Sequence, residues 1–142
     1  MTKIKKLSST AIIPLRGTDG AAGFDLYSND ETAQIEPGKT VPIHTGIAIE
    51  LSPMTAGLIL ARSGLATKRG LRPANCVGLI DPDYRGELIV ALHNDSDEVQ
   101  VINKGDRIAQ LMVCRFETGI EIADELSDTE RGGDGFGSTG IR

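Results

Sequence analysis

Residues 78–88 read GLIDPDYRGEL, in which an apolar strand-like run ends in a carboxylate and a turn leads into a second apolar run. Pro82 lacks an N–H and has a fixed φ, so the strand is predicted to stop at Asp81. Asp81 therefore lies where a rigid strand meets a loop, three residues before the ring of Tyr84. Such a carboxylate is suited to activating water beside a ring-shaped ligand. A polar hairpin in which Asp81 only accepts hydrogen bonds from turn amides explains the same residues.

The rest of the chain repeats this pattern of short strands and turns. Ile, Val and Leu occur in short runs bounded by Gly, Pro, Asn or Asp, which is typical of an all-β domain. We predict long strands over residues 41–51 and 108–116, an edge strand in the lysine-rich residues 3–7, and one helical turn capped by Ser63. Short connections between successive strands favour a sandwich or barrel with jelly-roll character.

Composition narrows the class of partner. The 142 residues fit one domain, and with no Trp, two Tyr and three Phe the core must be aliphatic. A formal charge of −5 argues against binding to a nucleic-acid polymer. Cys76 and Cys114 lack metal-type spacing and indicate buried thiols in a cytoplasmic protein (nuclear if eukaryotic). We find no signal peptide or membrane-spanning stretch and expect no membrane partner.

The glycine-rich residues 131–140 read RGGDGFGSTG. Five glycines in ten residues disfavour a packed element, because glycine loses much backbone entropy on ordering. An Arg, a Phe and a Ser-Thr pair are nevertheless suited to binding phosphate, stacking on a base and donating hydrogen bonds to anionic oxygens. A disordered tail without a function is the alternative.

Five motifs in this order resemble those of the trimeric dUTPases. They are AGFDLYS at 22–28, ARSGLA at 61–66, NCVGLIDPDYRG at 75–86, GDRIAQL at 105–111, and the glycine-rich 131–140. The resemblance implies a jelly-roll-like β-barrel over residues 1–126, with one short helix, and a flexible arm over residues 127–142. It also implies hydrolysis of dUTP to dUMP and pyrophosphate, which supplies dUMP for dTMP synthesis and keeps uracil out of DNA.

The resemblance implies roles for the residues around the nucleoside. Asp81 is the implied base that deprotonates the water attacking the α-phosphorus. Tyr84 is implied to pack against the deoxyribose, leaving no room for a 2′-hydroxyl. Asn75 and the backbone as far as Gly78 are implied to read the uracil edge, and Phe136 to stack over the base as a lid.

Further roles concern the triphosphate and a metal ion. The resemblance implies phosphate contacts from a set of residues in three motifs: Arg62, Ser63, Gly64, Gln110, Arg131, Gly137, Ser138 and Thr139. Asp25 is implied to hold, through water, a Mg²⁺ ion that is bound mainly by the substrate phosphates, as this hard cation prefers. An ordinary polar residue on a strand is the alternative for Asp25, and a structural amide is the alternative for Gln110. Each site of the homotrimer is implied to combine three chains.

Two other functions remain open on the sequence. A dCTP deaminase shares the implied barrel and triphosphate site, although deamination needs an acid/base pair at the pyrimidine edge. A non-catalytic trimeric barrel that binds nucleotides or a protein partner is the other possibility. The full set of catalytic residue types favours the hydrolase.

Overall fold

The computed structural model describes residues 1–134, and this part of the chain contains eleven strands and one helix. The strands are β1 Lys3–Lys6, β2 Leu15–Arg16, β3 Phe24–Tyr27, β4 Thr32–Ile35, β5 Thr40–Glu50, β6 Thr55–Leu60, β7 Leu71–Pro73, β8 Gly78–Ile80, β9 Glu87–Asn94, β10 Gln100–Asn103 and β11 Arg107–Arg115. Helix α1 spans Ser63–Arg69. The predicted all-β class with one short helix is confirmed.

The described strands form three antiparallel sheets. Their orders are β1-β5-β9-β7, β2-β3-β11-β6-β8 and β10-β4. No continuous hydrogen-bonded ring joins the strands of residues 1–134 into one closed barrel. The predicted edge strand is confirmed, because β1 pairs only with β5. Strands β8 and β9 follow each other in the chain but lie in different sheets, so the loop between them bridges the two larger sheets.

An aliphatic core lies between the sheets. Alternate residues of β9 point inward, and Leu88, Val90 and Leu92 are almost fully buried while Ile89 is exposed. The same cluster includes Leu26 of β3, Ile43 of β5 and other residues from both large sheets. Removing each of these side chains from water contributes about 2 kcal/mol. The strands that carry the candidate site residues are thus held rigidly.

Two local expectations were wrong. Ser63 does not cap the helix; the capping position belongs to Arg62, which has extended backbone angles, and Ser63 is the first helical residue. Cys76 is exposed rather than buried, because it lies in the connection between β7 and β8 with a φ of 62°. Cys114 is only partly buried.

Strand β5 contains a bulge opposite the start of β9. The pairing register shifts between His44, which lies opposite Ile89, and Ala48, which lies opposite Glu87. Gly46 has a φ of 67°, and a Cβ added there would lie 2.7 Å from the Cβ of Ala11. Glycine is therefore the residue that this bulge accommodates. Across residues 1–134, the one helix is too short to cross a lipid bilayer.

Candidate active site

Asp81 and Tyr84 line one open cavity of about 250 Å³. Asp81 follows the last residue of β8, where the sequence predicted the strand to stop. The other lining residues are Leu79, Ile80, Glu87 and Ile89. Leu79, Tyr84 and Ile89 are exposed apolar side chains, so the cavity offers an acid beside surface suited to a flat ligand.

The loop that carries Asp81 and Tyr84 is braced by one backbone hydrogen bond and by the side chain of Arg85. The N–H of Tyr84 donates to the carbonyl of Asp81 at 3.2 Å, closing a turn. Arg85 donates from Nη1 to the carbonyls of Pro82 at 2.8 Å and Tyr84 at 2.9 Å. These bonds fix the direction in which Asp81 and Tyr84 leave the two sheets.

The ring of Tyr84 is held on two sides. Its hydroxyl donates to the carbonyl of Glu87 at 2.9 Å. A Cβ added at Gly86 would lie 2.3 Å from the Tyr84 hydroxyl oxygen and 2.5 Å from its Cζ, so the ring packs directly on this glycine. Tyr84 is thus presented in one orientation.

A second group of candidate residues surrounds Asp25. Its side chain is 7% exposed, and its oxygens accept hydrogen bonds from Arg62 Nε at 3.1 Å and Arg107 Nη1 at 3.3 Å. Gln110 lies opposite Asp25 in the β3–β11 ladder and donates to it at 3.5 Å. Two guanidinium groups and an amide are therefore gathered on one carboxylate, which leaves the cluster with a net positive charge.

Ser63 and Gly64 begin the helix next to this cluster. Both are exposed, and their N–H groups belong to the first turn, which has no intrahelical acceptors for them. A Cβ added at Gly64 meets no atom within 4 Å, so packing within the chain does not require glycine here. The open space leaves room for an anionic oxygen to approach the backbone.

Asn75 and Gly78 lie at the other end of β8 from Asp81. A Cβ added at Gly78 would be 3.4 Å from Asn75 Nδ2 and 3.2 Å from the Cβ of Ile59. Asn75 therefore packs beside Gly78, and their role in reading the uracil edge stays a prediction. The N–H of Val77 donates to the carbonyl of Asn75 at 2.6 Å, which tightens this corner.

The chain does not bring Asp81 and the Arg62 cluster together. In the β6–β8 ladder Ile80 lies opposite Gly57, so Asp81 lies beyond it, level with Ala56. Arg62 follows Ala56 by six residues of extended chain, a distance of about 20 Å at ~3.3 Å per residue. The two groups occupy opposite ends of β6.

The chain is similar to known proteins over most of its length. The sequence model of the dUTPase family matches residues 9–140. The chain belongs to the dUTPase family. A deoxyuridine 5'-triphosphate nucleotidohydrolase of Desulfitobacterium hafniense is 50% identical over 132 residues, covering 91% of this chain and 87% of the relative. One of Clostridioides difficile is 48% identical over 140 residues, covering 98% and 97%.

Solved dUTPase structures have the same fold. A point mutant of the Staphylococcus bacteriophage 80alpha dUTPase with dUpNHpp has a TM-score of 0.90 and 30% identity, covering 99% of both chains. A mutant dUTPase from phage phi11 of S. aureus, described with a structural Mg(II) ion, has a TM-score of 0.80 and 26% identity and covers 90% of this chain and 99% of that one. The predicted jelly-roll-like β fold is confirmed, and this dUTPase is an enzyme.

The C-terminal part of this dUTPase is exposed as far as it is described. The last strand ends at Arg115, and residues 117–134 are all exposed. Arg131 Nε donates to the carbonyl of Asp134 at 3.0 Å, and within residues 1–134 Arg131 has no hydrogen bond to either cluster. Phe136, Gly137, Ser138 and Thr139 lie outside the described residues, and the boundary at residue 127 stays a prediction.

The donor set fits Mg²⁺ only as an ion with few protein ligands. Residues 1–134 contain no group of three or more His, Cys, Asp or Glu side chains placed to hold a metal. Both oxygens of Asp25 already accept hydrogen bonds from arginines. The carboxylate therefore suits contact through water with an ion whose direct ligands are phosphate oxygens and water.

His44 and Glu87 form an ion pair, and Glu87 is one of the residues that line the Asp81 cavity. His44 Nδ1 and Glu87 Oε2 are 2.9 Å apart, and the hydrogen bond with Glu87 raises the pKa of His44 against an opposing effect of burial. Burial alone would raise the pKa of Glu87, but hydrogen bonds from His44 and the N–H of Gly46 outweigh it and lower that pKa. Both shifts favour the charged pair.

Sequence reasoning missed Arg107 and Glu87. Arg107 lies within the quoted motif at 105–111, three residues before Gln110. The pairing register between β11 and β3 shifts between Arg107 and Ala109. Because of this shift, the spacing in sequence does not indicate that Arg107 and Gln110 both reach Asp25. Glu87 follows the quoted 75–86 motif directly. Its partners His44 and Gly46 come from a distant strand, so only the β5–β9 pairing reveals its place.

Proposed function

We propose that this enzyme hydrolyses dUTP to dUMP and pyrophosphate, with Asp81 as the base. The observation that carries the proposal is the placement of Asp81 and Tyr84 in one cavity of a dUTPase-family chain. Asp81 accepts a proton from a water molecule as that water attacks the α-phosphorus. Pyrophosphate leaves with the electrons of the broken phosphoanhydride bond.

Selection of the nucleoside follows from the same cavity. The deoxyribose packs on the ring of Tyr84, which is braced by Gly86 and the carbonyl of Glu87 and cannot retreat from a 2′-hydroxyl. The corner at Asn75 and Gly78 is tightly packed, and it is the part of the chain that contacts the uracil edge in this proposal. A thymine methyl group is rejected there by lack of space.

Charge on the triphosphate is neutralised at the other cluster. Arg62, Ser63, Gly64 and Gln110 bind phosphate oxygens, with Asp25 holding Arg62 in place. Mg²⁺ supplies further positive charge to the phosphates when it is bound. Arg131, Gly137, Ser138 and Thr139 close on the terminal phosphates while Phe136 covers the uracil, which excludes bulk water.

A complete site requires more than one chain. A water held by Asp81 and an α-phosphate held by Ser63 and Gly64 must lie within about 3.5 Å of each other for reaction. Within one chain these groups are separated by about 20 Å along β6. We therefore propose that Asp81 of one subunit faces the Arg62 cluster of another in a homotrimer. The glycine-rich arm comes from a third subunit.

The reaction supplies dUMP for dTMP synthesis and lowers the dUTP available to DNA polymerases. We expect it in the cytoplasm, or in the nucleus of a eukaryotic cell. The expected ligand is the free nucleotide rather than a nucleic-acid polymer or a membrane. The negative net charge of the chain fits this expectation.

The test is pyrophosphate release from dUTP, with dTTP, dCTP and UTP measured alongside and with Mg²⁺ present or chelated. We expect rapid release from dUTP alone that falls when the metal is removed. The same reactions are assayed for ammonia, because a dCTP deaminase releases ammonia from dCTP and leaves the triphosphate intact. Ammonia from dCTP, or binding without turnover of any of the four, contradicts the proposal.

A further inference from the structure

Glu87 has no assigned role, although it stands at the junction of the candidate site and the β5 bulge. It is the first residue of β9, and its side chain is 23% exposed. Glu87 is one of the residues that line the same cavity as Asp81 and Tyr84. Its hydrogen bonds show whether it is free to meet the ligand or fixes the residues that do.

Both oxygens of the Glu87 carboxylate form hydrogen bonds with residues of the β5 bulge. Its Oε1 accepts the N–H of Gly46 at 2.7 Å, and its Oε2 is paired with His44 Nδ1 at 2.9 Å. The next residue is held as well, since the buried hydroxyl of Thr45 donates to the carbonyl of Leu88 at 2.6 Å. Three consecutive residues of β5 therefore hold the start of β9.

The main-chain carbonyl of Glu87 is hydrogen-bonded to Tyr84. The carbonyl accepts a hydrogen bond from the Tyr84 hydroxyl, and the Tyr84 ring packs on Gly86, which lies between the two residues in the chain. The carboxylate and the carbonyl belong to one residue at the end of a loop. Any shift of Glu87 away from the bulge therefore moves the acceptor that orients the ring.

We propose that Glu87 is a positioning residue that transmits the rigidity of the β5 bulge to the ring of Tyr84 and so sets the preference for deoxyribose over ribose. The inference rests on the proposed function, because it concerns the sugar of the same substrate. It assigns no contact between Glu87 and the substrate. Its distinctive consequence is a loss of sugar selection that exceeds the loss of turnover on dUTP.

The experiment measures kcat and KM for dUTP and UTP in Glu87→Ala, Glu87→Asp and Glu87→Gln. Alanine removes both bonds to the bulge, and aspartate is too short to keep both. Glutamine keeps an acceptor for Gly46 and offers a donor to His44. We expect the ratio of kcat/KM for dUTP over UTP to fall about tenfold in the alanine and aspartate variants and to recover in glutamine.

Asn94→Ala is the matched control for simple destabilisation. Asn94 is fully buried at the far end of the same strand and donates to the carbonyls of Ile35 and Glu98. Its loss is expected to lower the free energy of unfolding without changing the dUTP to UTP ratio. If Asn94→Ala lowers the ratio as much as Glu87→Asp does, general loosening explains the effect and the inference is wrong.

A double-mutant cycle with Tyr84→Phe tests whether Glu87 acts on sugar selection through the hydrogen bond from the Tyr84 hydroxyl to its carbonyl. Phenylalanine keeps the ring but removes the bond to the Glu87 carbonyl, so Glu87→Asp is expected to add little further loss of selection in this background. Fully additive losses would overturn the inference.

Calorimetric binding of dUMP and UMP gives a readout that does not depend on turnover. A wild-type chain that binds dUMP over UMP but hydrolyses nothing refutes the proposed function and leaves this inference standing. Unchanged selection in every Glu87 variant refutes the inference while the proposed function stands.

Discussion

At the scale of single residues, the proposed chemistry depends on the exposed carboxylate of Asp81. Asp81 is held by a strand end and a turn whose amide donates to its backbone carbonyl rather than to its side chain. The polar-hairpin interpretation requires the Asp81 carboxylate to accept hydrogen bonds from turn amides. In the described structure the turn amide bonds the Asp81 carbonyl instead, so the carboxylate is not occupied by the turn. Its oxygens are available to a water molecule.

Asp81→Asn is expected to lower kcat by about a hundred- to ten-thousand-fold, because an amide cannot accept the proton of the attacking water. The substitution preserves shape, so binding of a non-hydrolysable dUTP analogue is expected to change little. Single-turnover kinetics and calorimetry separate the two effects. Near-wild-type turnover would exclude Asp81 as the base.

The His44–Glu87 pair predicts a pH-dependent stability difference. The raised pKa of His44 means that its contribution is complete below its ordinary value of 6.5 and is lost as pH rises through the raised value. The lowered pKa of Glu87 means that its contribution is lost as pH falls through the lowered value, below its ordinary 4.5. The Asp30 carboxylate, which accepts the N–H of His44 at 2.9 Å, adds to the first effect.

Compared with wild type, His44→Gln is therefore expected to lose stability near pH 6 and to match it at high pH. The side chain of His44 is 48% exposed, so solvent screening limits the loss to less than about 1 kcal/mol. Denaturant unfolding at a series of pH values measures it. A difference that grows with rising pH would mean that the pair is not charged in the way described.

At the scale of elements, the loop between β8 and β9 matters because it joins two sheets. Each sheet is anchored in the aliphatic core, so the loop ends cannot drift apart. Within the loop, the close contact between Gly86 and the Tyr84 ring leaves no space for a side chain.

Gly86→Ala is expected to displace the Tyr84 ring and to lower the preference for dUTP over UTP by about tenfold, with a smaller change in stability. Gly20→Ala is the matched control, since a Cβ there meets nothing within 4 Å. Steady-state kinetics with dUTP and UTP measure the preference of each variant. Equal selection in the two alanine variants would show that the ring has room to move.

Much of the arrangement of the strands and of the loop between β8 and β9 could be predicted from the sequence. The proline at 82 and the alternation in β9 suffice to place Asp81 at a strand end beside Tyr84, because local rules govern both. The bulge at Gly46 and the meeting of Asp25 with Arg107 depend on pairing between distant strands, which no local pattern encodes. The exposure of Cys76 likewise follows from the path of a connection rather than from residue type.

At the scale of the whole molecule, the described part of the proposed arm, residues 127–134, is exposed. Residues 117–134 are exposed and the last strand ends at Arg115. Deleting residues 131–142 is expected to leave a folded assembly with little activity, because the core loses no buried side chain from the described part. Size-exclusion chromatography, thermal unfolding and pyrophosphate release test this together. A monomeric or molten product would assign the arm a structural role.

Mixed assemblies test directly whether the site is shared between subunits, as proposed. Refolding Arg62→Gln chains with Asp81→Asn chains is expected to restore part of the activity, because some sites then combine an intact Arg62 with an intact Asp81. Refolding Tyr84→Ala chains with Asp81→Asn chains is the control, since both defects lie in the same cavity and no intact site can form. Equal recovery in the two mixtures, or none in either, would contradict the proposed sharing.

The distance along β6 also has a consequence for gene dosage. When each site needs groups from separate copies, the output of the cell does not scale simply with the number of chains made. Below the dissociation constant of the assembly, halving expression removes more than half of the working sites, by mass action. Under the proposed function, protection of the genome from uracil would then have a threshold in protein abundance, set by subunit affinity rather than by the proposed chemistry at Asp81.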